Sequence, residues 1–158
     1  MKQSKEKMEL SKGITKEQLI FLGGIYFDSI QEGFELYEHS MLEGTEEELL
    51  TEIKRLRDSN GMEYSYADFY YGSLNQEERD RVKSGLSASS LSVLEKYEVL
   101  QDMVFLSLED ELLHLTAELN AKEILFSTYY FCKHPCTVWG NYNRKYPVFT
   151  RRGSGNNR

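Results

Sequence analysis

The sequence predicts a mainly α fold, α+β at the margin, in which one domain of about four to five helices carries a small C-terminal β-hairpin. The chain has 158 residues, close to the usual size of one domain. Its two prolines leave long stretches free to form helices. Apolar residues recur at spacings of three and four over 20–41 and 93–119, which is the period of an amphipathic helix. The segment 123–131 is instead rich in aromatic residues, which favour strands.

Capping boxes mark the start of the first two predicted helices. Thr15 and Gln18 form the first box, and the helix that follows carries the apolar stripe over 20–41. Thr45 and Glu48 form the second. The helix after them has acids in its first turn and bases in its last, as the helix dipole favours.

The sequence of the middle of the chain predicts further helices and contains one stretch whose secondary structure is ambiguous. Residues 62–74 fit a strand by their aromatic density, or a short helix, because a serine and an aspartate three residues apart could cap one. Asn75 is the predicted N-cap of a short helix over 76–84. The stripe over 93–119 predicts one long helix, or two helices divided near Ser107.

The C-terminal third predicts the hairpin. We expect 123–131 to be its first strand, residues 133–135 its bend and Cys136–Trp139 its return strand. The alternative is that the preceding helix continues to Phe131, because apolar residues keep helical spacing up to that point.

The predicted domain organisation has three parts. Residues 1–13 are expected to form a mobile basic arm, residues 14–150 a single globular domain and residues 151–158 a disordered tail. The N-terminus lacks the apolar core of a secretory signal, and no apolar run is long enough to cross a membrane. With only two cysteines, the sequence predicts a cytoplasmic protein with no membrane contact.

Charge is distributed unevenly along a chain of net charge −7. Residues 13–131 contain 24 acidic and 9 basic residues, whereas residues 132–158 contain six basic residues and no acid. An acidic body repels nucleic-acid phosphates and attracts basic surfaces. The same composition is equally typical of proteins whose acidic surface serves only to keep them in solution.

These charges predict a non-enzymatic interaction protein, an inhibitor that docks on a basic surface of a partner such as a nucleic-acid-binding protein. Electrostatic steering would bring the two together, and a few aromatic anchors would hold them. The composition, though no motif, is similar to that of small acidic inhibitors of phages and mobile elements, including some anti-CRISPR proteins. No catalytic constellation and no cofactor are predicted. The predicted partner-binding residues are Glu46, Glu47, Glu48, Glu52, Glu109, Asp110, Glu111, Trp139, Tyr142, Arg144, Lys145 and Tyr146.

The C-terminal segment supports a second candidate function, a nucleic-acid-binding module. Trp139, Tyr142 and Tyr146 lie close in sequence to Arg144 and Lys145. Aromatic rings interleaved with cations are typical of contacts with single-stranded nucleic acid. The same positive segment could instead pack against the acidic body of its own chain.

A third candidate is a zinc-binding domain or metalloenzyme, because Cys132, His134 and Cys136 supply zinc-ligand atoms. Structural zinc needs four ligands, so His39, His114 or a carboxylate would have to complete the set. Independently of these functions, the helical stripes also fit the contact face of a homodimer.

Overall fold

The computed structural model describes residues 13–98 and 103–153. Over these residues the chain forms a seven-stranded antiparallel sheet and six α-helices. The helices are α1 (Lys16–Phe21), α2 (Ile30–Leu36), α3 (Glu46–Asn60), α4 (Gln76–Ser84), α5 (Ala88–Tyr97) and α6 (Asp110–Ala121). The strands are β1 (Gly13–Ile14), β2 (Glu38–Glu43), β3 (Ser65–Asp68), β4 (Phe105–Ser107), β5 (Thr128–Phe131), β6 (Cys136–Trp139) and β7 (Lys145–Thr150).

The sheet shows that the predicted mainly α class with a small C-terminal hairpin is wrong. The strand order is β1-β4-β3-β5-β6-β7-β2, and every neighbouring pair is antiparallel. β5 and β6 lie where the hairpin was expected, but they are interior strands with further strands on both sides. The sheet therefore organises the whole domain.

The stripe over 20–41 is divided among three elements. α1 ends at Phe21, and Gly23 then takes a positive φ of 110°, a conformation that suits glycine and breaks the helix. Ser29 begins α2 by accepting a hydrogen bond from the Glu32 N–H. The residues from Glu38 onward are extended in β2. Helical spacing in this stretch arises from side chains that belong to separate elements.

The stripe over 93–119 is also interrupted by a strand. α5 ends at Tyr97, β4 occupies the predicted division near Ser107, and α6 starts at Asp110. Phe105 and Leu106 pack on opposite faces of the sheet, which is the alternation of a strand. Part of the stripe, residues 99–102, lies outside the described residues.

The predicted helix starts are confirmed. Gln18 N–H donates to the Thr15 hydroxyl, and the Gln18 side chain accepts from the Thr15 N–H. Thr45 and Glu48 form the same reciprocal pair at α3, and Asn75 caps α4. These signals were readable because each capping box involves residues only three positions apart.

The core lies on both faces of the sheet. Tyr129 and Phe131 of β5 belong to the larger cluster, which they form with residues of α3, α4, α5 and α6. Tyr130, between them, points to the opposite face and joins Leu19 of α1 and Cys132. The N-terminal segment thus covers one face of the sheet and the later helices cover the other.

The predicted arm and tail fall mostly outside the described residues. Of the arm, Gly13 is described, and it pairs with Leu106 in the β1–β4 ladder. Of the tail, residues 151–153 are described, and the Arg151 guanidinium donates to the Gly23 carbonyl at 3.0 Å. No helix among the described residues is long and apolar enough to span a bilayer.

Gly33 provides a test of the packing between α2 and the sheet. A Cβ at this position would lie 2.6 Å from the Phe27 ring and 3.1 Å from the ring of Phe149, both buried. Alanine is the better helix former by about 1 kcal/mol, but overpacking should outweigh that gain. We expect Gly33→Ala to lower the free energy of unfolding by about 1–3 kcal/mol in urea titrations. The control Gln31→Ala, at an exposed position of α2, should change it by less than about 0.5 kcal/mol. Equal effects would contradict this account.

Candidate binding pocket

Six of the seven predicted acidic contacts form two groups at opposite ends of α3, and Glu52 lies between them. Glu46, Glu47 and Glu48 form its first turn. Arg57, in its last turn, forms an ion pair with Asp110 at 2.7 Å, which brings the start of α6 to that end. Arg57 is eleven positions after Glu46, which corresponds to about 16 Å along the helix axis. The predicted acidic contacts therefore do not form one compact group.

Ion pairs within the chain also offset part of this charge. Glu52 forms an ion pair with Arg55, and the hydrogen bond from that guanidinium lowers the pKa of Glu52. Glu111 forms an ion pair with Lys96 at 2.7 Å. The field that these carboxylates present to a partner is weakened accordingly.

The predicted aromatic cluster is divided by the sheet. Trp139 stacks on Phe27, with ring centroids 5.4 Å apart and an interplanar angle of 11°. Tyr146 is only 2 % exposed and belongs to the helix-side core. Tyr142 is 59 % exposed and meets Phe126 edge to face. The three rings therefore do not form a common stacking platform.

The cations of the same segment lie beside the chain's own backbone. Arg144 is exposed and donates from Nε to the Gly44 carbonyl at 3.2 Å. Lys145 is exposed at the start of β7, where it is paired with Glu43 of β2. Lys145 is therefore part of the sheet, and Arg144 lies in the turn that directly precedes it.

The candidate zinc ligands are separated. Cys132 packs on the face covered by α1, whereas Cys136 packs in the core beneath the later helices. Burial raises the pKa of each thiol to about 11. His134 lies exposed in the turn between them. Among the described residues, no three His, Cys, Asp or Glu side chains come together as a metal site.

A pocket of about 310 Å³ opens on the sheet face that the N-terminal segment covers. It lies where β3 ends, β5 begins and β6 ends, because antiparallel neighbours bring these termini to one side of the sheet. The loop of residues 26–28, between α1 and α2, forms another wall. We call it the Asp68 pocket. The residues that define it here are Tyr26, Asp28, Asp68, Tyr70, Tyr130 and Trp139.

Asp68 supplies a buried carboxyl to this pocket and is 6 % exposed. Its Oδ1 accepts a hydrogen bond from the Thr128 N–H at 2.8 Å. Burial raises the pKa of Asp68 to about 7. Hydrogen bonds from the Thr128 N–H and the Tyr130 hydroxyl favour the charged form and lower the pKa, but burial has the larger effect. Near neutral pH the carboxyl therefore exchanges between its neutral and charged forms.

Aromatic rings surround this carboxyl. Tyr26 stacks on Tyr130 with centroids 6.2 Å apart, and Trp139 contributes a further wall. Burial, followed by the charge of Asp68, raises the pKa of Tyr70 to about 12. Burial likewise raises the pKa of Tyr130. The hydroxyls of Tyr70 and Tyr130 thus stay protonated at neutral pH, when each can donate or accept a hydrogen bond.

The lining of the pocket is acidic. It contains the carboxyls of Asp28 and Asp68, and none of the described residues that line it is Lys, Arg or His. Lys16 lies 5.3 Å from the centroid of the Tyr26 ring but is outside the lining. A buried carboxylate without a cation nearby is costly, and a cation that enters offsets that cost. Aromatic faces attract cations as well.

Sequence reasoning identified Trp139 but missed Asp68. The pocket combines residues from three distant parts of the chain, so no local motif encodes it. One local signal was available in the sequence, because Asp68 stands inside the aromatic run of residues 62–74. The structure buries all four residues of the strand that contains it. An acid at such a position is rarely buried without a reason.

The fold and the pocket define an antiparallel α+β domain with an acidic, aromatic cavity at one end of its central strands. Comparisons of the chain with protein-family models, with curated proteins and with solved structures find no match.

Proposed function

We propose that the protein is a non-enzymatic binding protein that docks on a basic surface of a partner protein and takes one cationic side chain of that partner into the Asp68 pocket. The observation that carries the proposal is a carboxyl buried among aromatic rings in a cavity whose described lining contains no cation. A nucleic-acid-binding protein is one class of partner with such a surface.

The proposed sequence of events starts with attraction at the rim. Asp28 is exposed there, and its charge favours the approach of a lysine or arginine side chain. Inside, the cation pairs with ionised Asp68 and lies against Trp139 and the tyrosine rings. Pairing removes the penalty of burying the carboxylate alone, so the ligand holds Asp68 in its charged form.

Trp139 gives this proposal a direct test, because it is the only tryptophan in the chain and lines the pocket. N-acetyl-arginine amide and N-acetyl-lysine amide would be titrated while the indole N–H resonance is followed by NMR. N-acetyl-glutamine amide is the uncharged control. We expect a saturable shift with at least one cationic probe, a much smaller one with the control, and at least tenfold weaker binding to Asp68→Asn. No shift from either cation, or an unchanged affinity in Asp68→Asn, would contradict the proposal.

The partner itself would be sought by affinity purification from cells of the source organism with the wild-type chain and Asp68→Asn in parallel. We expect the wild-type chain to retain a basic protein that is lost from the variant and that dissociates as salt rises from about 50 to 200 mM. A partner retained equally by both chains, or insensitive to salt, would contradict a role for the pocket.

A further inference from the structure

β2 forms one edge of the described sheet and is exposed along most of its length. Its described pairing is with β7 alone, and five of its six residues are exposed. The opposite edge strand, β1, has two residues within the described part of the chain. A long exposed edge presents unpaired backbone groups on which another strand can form.

The position of Pro147 identifies which groups of β2 point outward. Met41 is directly opposite Pro147 in the β2–β7 ladder. Opposed residues in antiparallel strands alternate between hydrogen-bonded and non-hydrogen-bonded pairs, and proline has no N–H to exchange. Met41 therefore belongs to a non-hydrogen-bonded pair, and its N–H and C=O point away from β7. By the same alternation, those of His39 and Glu43 also point outward.

We infer that β2 pairs antiparallel with β2 of a second copy of the chain, across a two-fold axis at Met41. This is the one register that pairs all three outward-pointing residues. It places Met41 opposite Met41 of the other copy. On each side of the axis, His39 of one copy then lies opposite Glu43 of the other. An imidazole N–H can donate to the carboxylate at both places. The pairing joins two seven-stranded sheets into one continuous sheet.

Apolar side chains beside the strand add to this contact. Directly opposed residues project to the same face of a sheet, so the two Met41 side chains, each 49 % exposed in one chain, meet at the axis. His39 lies on the same face as Met41 and meets Phe34 of α2 edge to face at 4.7 Å. Phe34 is itself 36 % exposed. Dimerisation therefore covers a strip of apolar surface next to the new backbone hydrogen bonds.

The charges of the two copies give this contact a distinctive salt dependence. Each chain carries −7, and Glu38 and Glu43 stand at the two ends of the edge. Like charges repel across the interface, and salt screens that repulsion. The dimer should strengthen as salt rises, whereas the proposed docking on a basic partner should weaken, so the two hypotheses can fail separately.

Sedimentation velocity of the full chain, from about 1 μM to about 500 μM, tests the inference. We expect a monomer–dimer equilibrium that tightens in high salt. Met41→Pro removes an outward-pointing N–H but no hydrogen bond to β7, and it should weaken association at least tenfold. Met41→Lys places like charges at the axis and leaves the backbone unchanged, and it should also weaken association at least tenfold. Met41→Leu should retain the dimer. Phe21→Ser, at a side chain 89 % exposed elsewhere, should leave it unchanged.

Two outcomes would overturn the inference. A wild-type chain that stays monomeric throughout this range shows that the edge does not pair with a second copy. A dimer that survives both Met41→Pro and Met41→Lys uses another surface. Far-UV circular dichroism and urea unfolding of each variant establish that it is folded before its association is compared.

Discussion

At pH 8, Asp68→Asn is expected to raise the free energy of unfolding by up to about 4 kcal/mol, which corresponds to a pKa change from 3.8 to about 7. The wild-type carboxyl is charged at that pH although it is 6 % exposed and no cation is among the described residues that line its pocket. The asparagine carbonyl can still accept the hydrogen bond from Thr128, so the substitution removes the buried charge and keeps the contact.

The pH dependence distinguishes this effect from a general change in packing. The pKa of Asp68 is higher in the folded than in the unfolded chain, so the folded state binds more protons between about pH 4 and 7. The stability that the protonated carboxyl contributes is complete below about pH 4 and is lost as the pH rises through 7. Urea titrations should show the difference between variant and wild type widening over this window and remaining constant above about pH 8.

Asp28→Asn is the matched control, because it removes the same charge from the exposed rim of the same pocket. We expect it to change the free energy of unfolding by less than about 0.5 kcal/mol at every pH. An Asp68→Asn variant that is less stable than the wild type at pH 8, or a difference that does not vary with pH, would contradict the explanation by burial.

The same substitution is expected to stabilise the fold and weaken the binding of cations. Replacing a residue that serves only the fold would lower the stability of the protein. A binding residue, in contrast, can be retained although it makes the protein less stable. The two measurements on Asp68→Asn together separate a structural from a binding role. Saturating cationic ligand should also recover stability in the wild type, because it binds only the folded chain.

Local signals in the sequence predicted the helix starts but not the sheet. Thr15, Thr45 and Asn75 cap helices through residues three positions away, so the sequence shows each interaction directly. The strand β2 shows no alternation of apolar and polar residues, since both of its faces are largely exposed. Its partner β7 lies more than a hundred residues further along the chain. Such pairing depends on the whole fold, which a local period does not report.

The candidate site was predictable only in part for a related reason. Trp139 stood out by its rarity and by its basic neighbours. Asp68 is one of 26 acidic residues, and net charge gives no indication of which acid is buried. The acids that are most prominent in the sequence, at the starts of α3 and α6, lie at opposite ends of α3, and two of those in α6 form ion pairs within the chain.

Glu118→Gln is expected to lower the free energy of unfolding by about 2 kcal/mol at pH 7, because Glu118 joins α6 to the start of α5. Its carboxylate accepts hydrogen bonds from the Ser87 N–H at 2.8 Å, from the Ser90 hydroxyl at 2.5 Å and from the Lys122 ammonium at 2.7 Å. Burial alone would raise the pKa of Glu118, but the bonds from Lys122, Ser90 and Ser87 outweigh it and lower the pKa to about 2. Glutamine can satisfy some of these donors but carries no charge for the ammonium.

The expected pH dependence is opposite to that of Asp68. A folded-state pKa below the ordinary value of 4.5 means that the stabilisation is complete above about pH 4.5 and is lost as the pH falls toward 2. Urea titrations at about pH 7 and pH 2.5 should therefore show a large difference between Glu118→Gln and the wild type at the first pH and a small one at the second. Glu111→Gln, which removes an exposed ion pair with Lys96, should cost less than about 1 kcal/mol at either pH. Equal losses at both pH values would mean that the side chain fills space at this junction and that its charge contributes nothing.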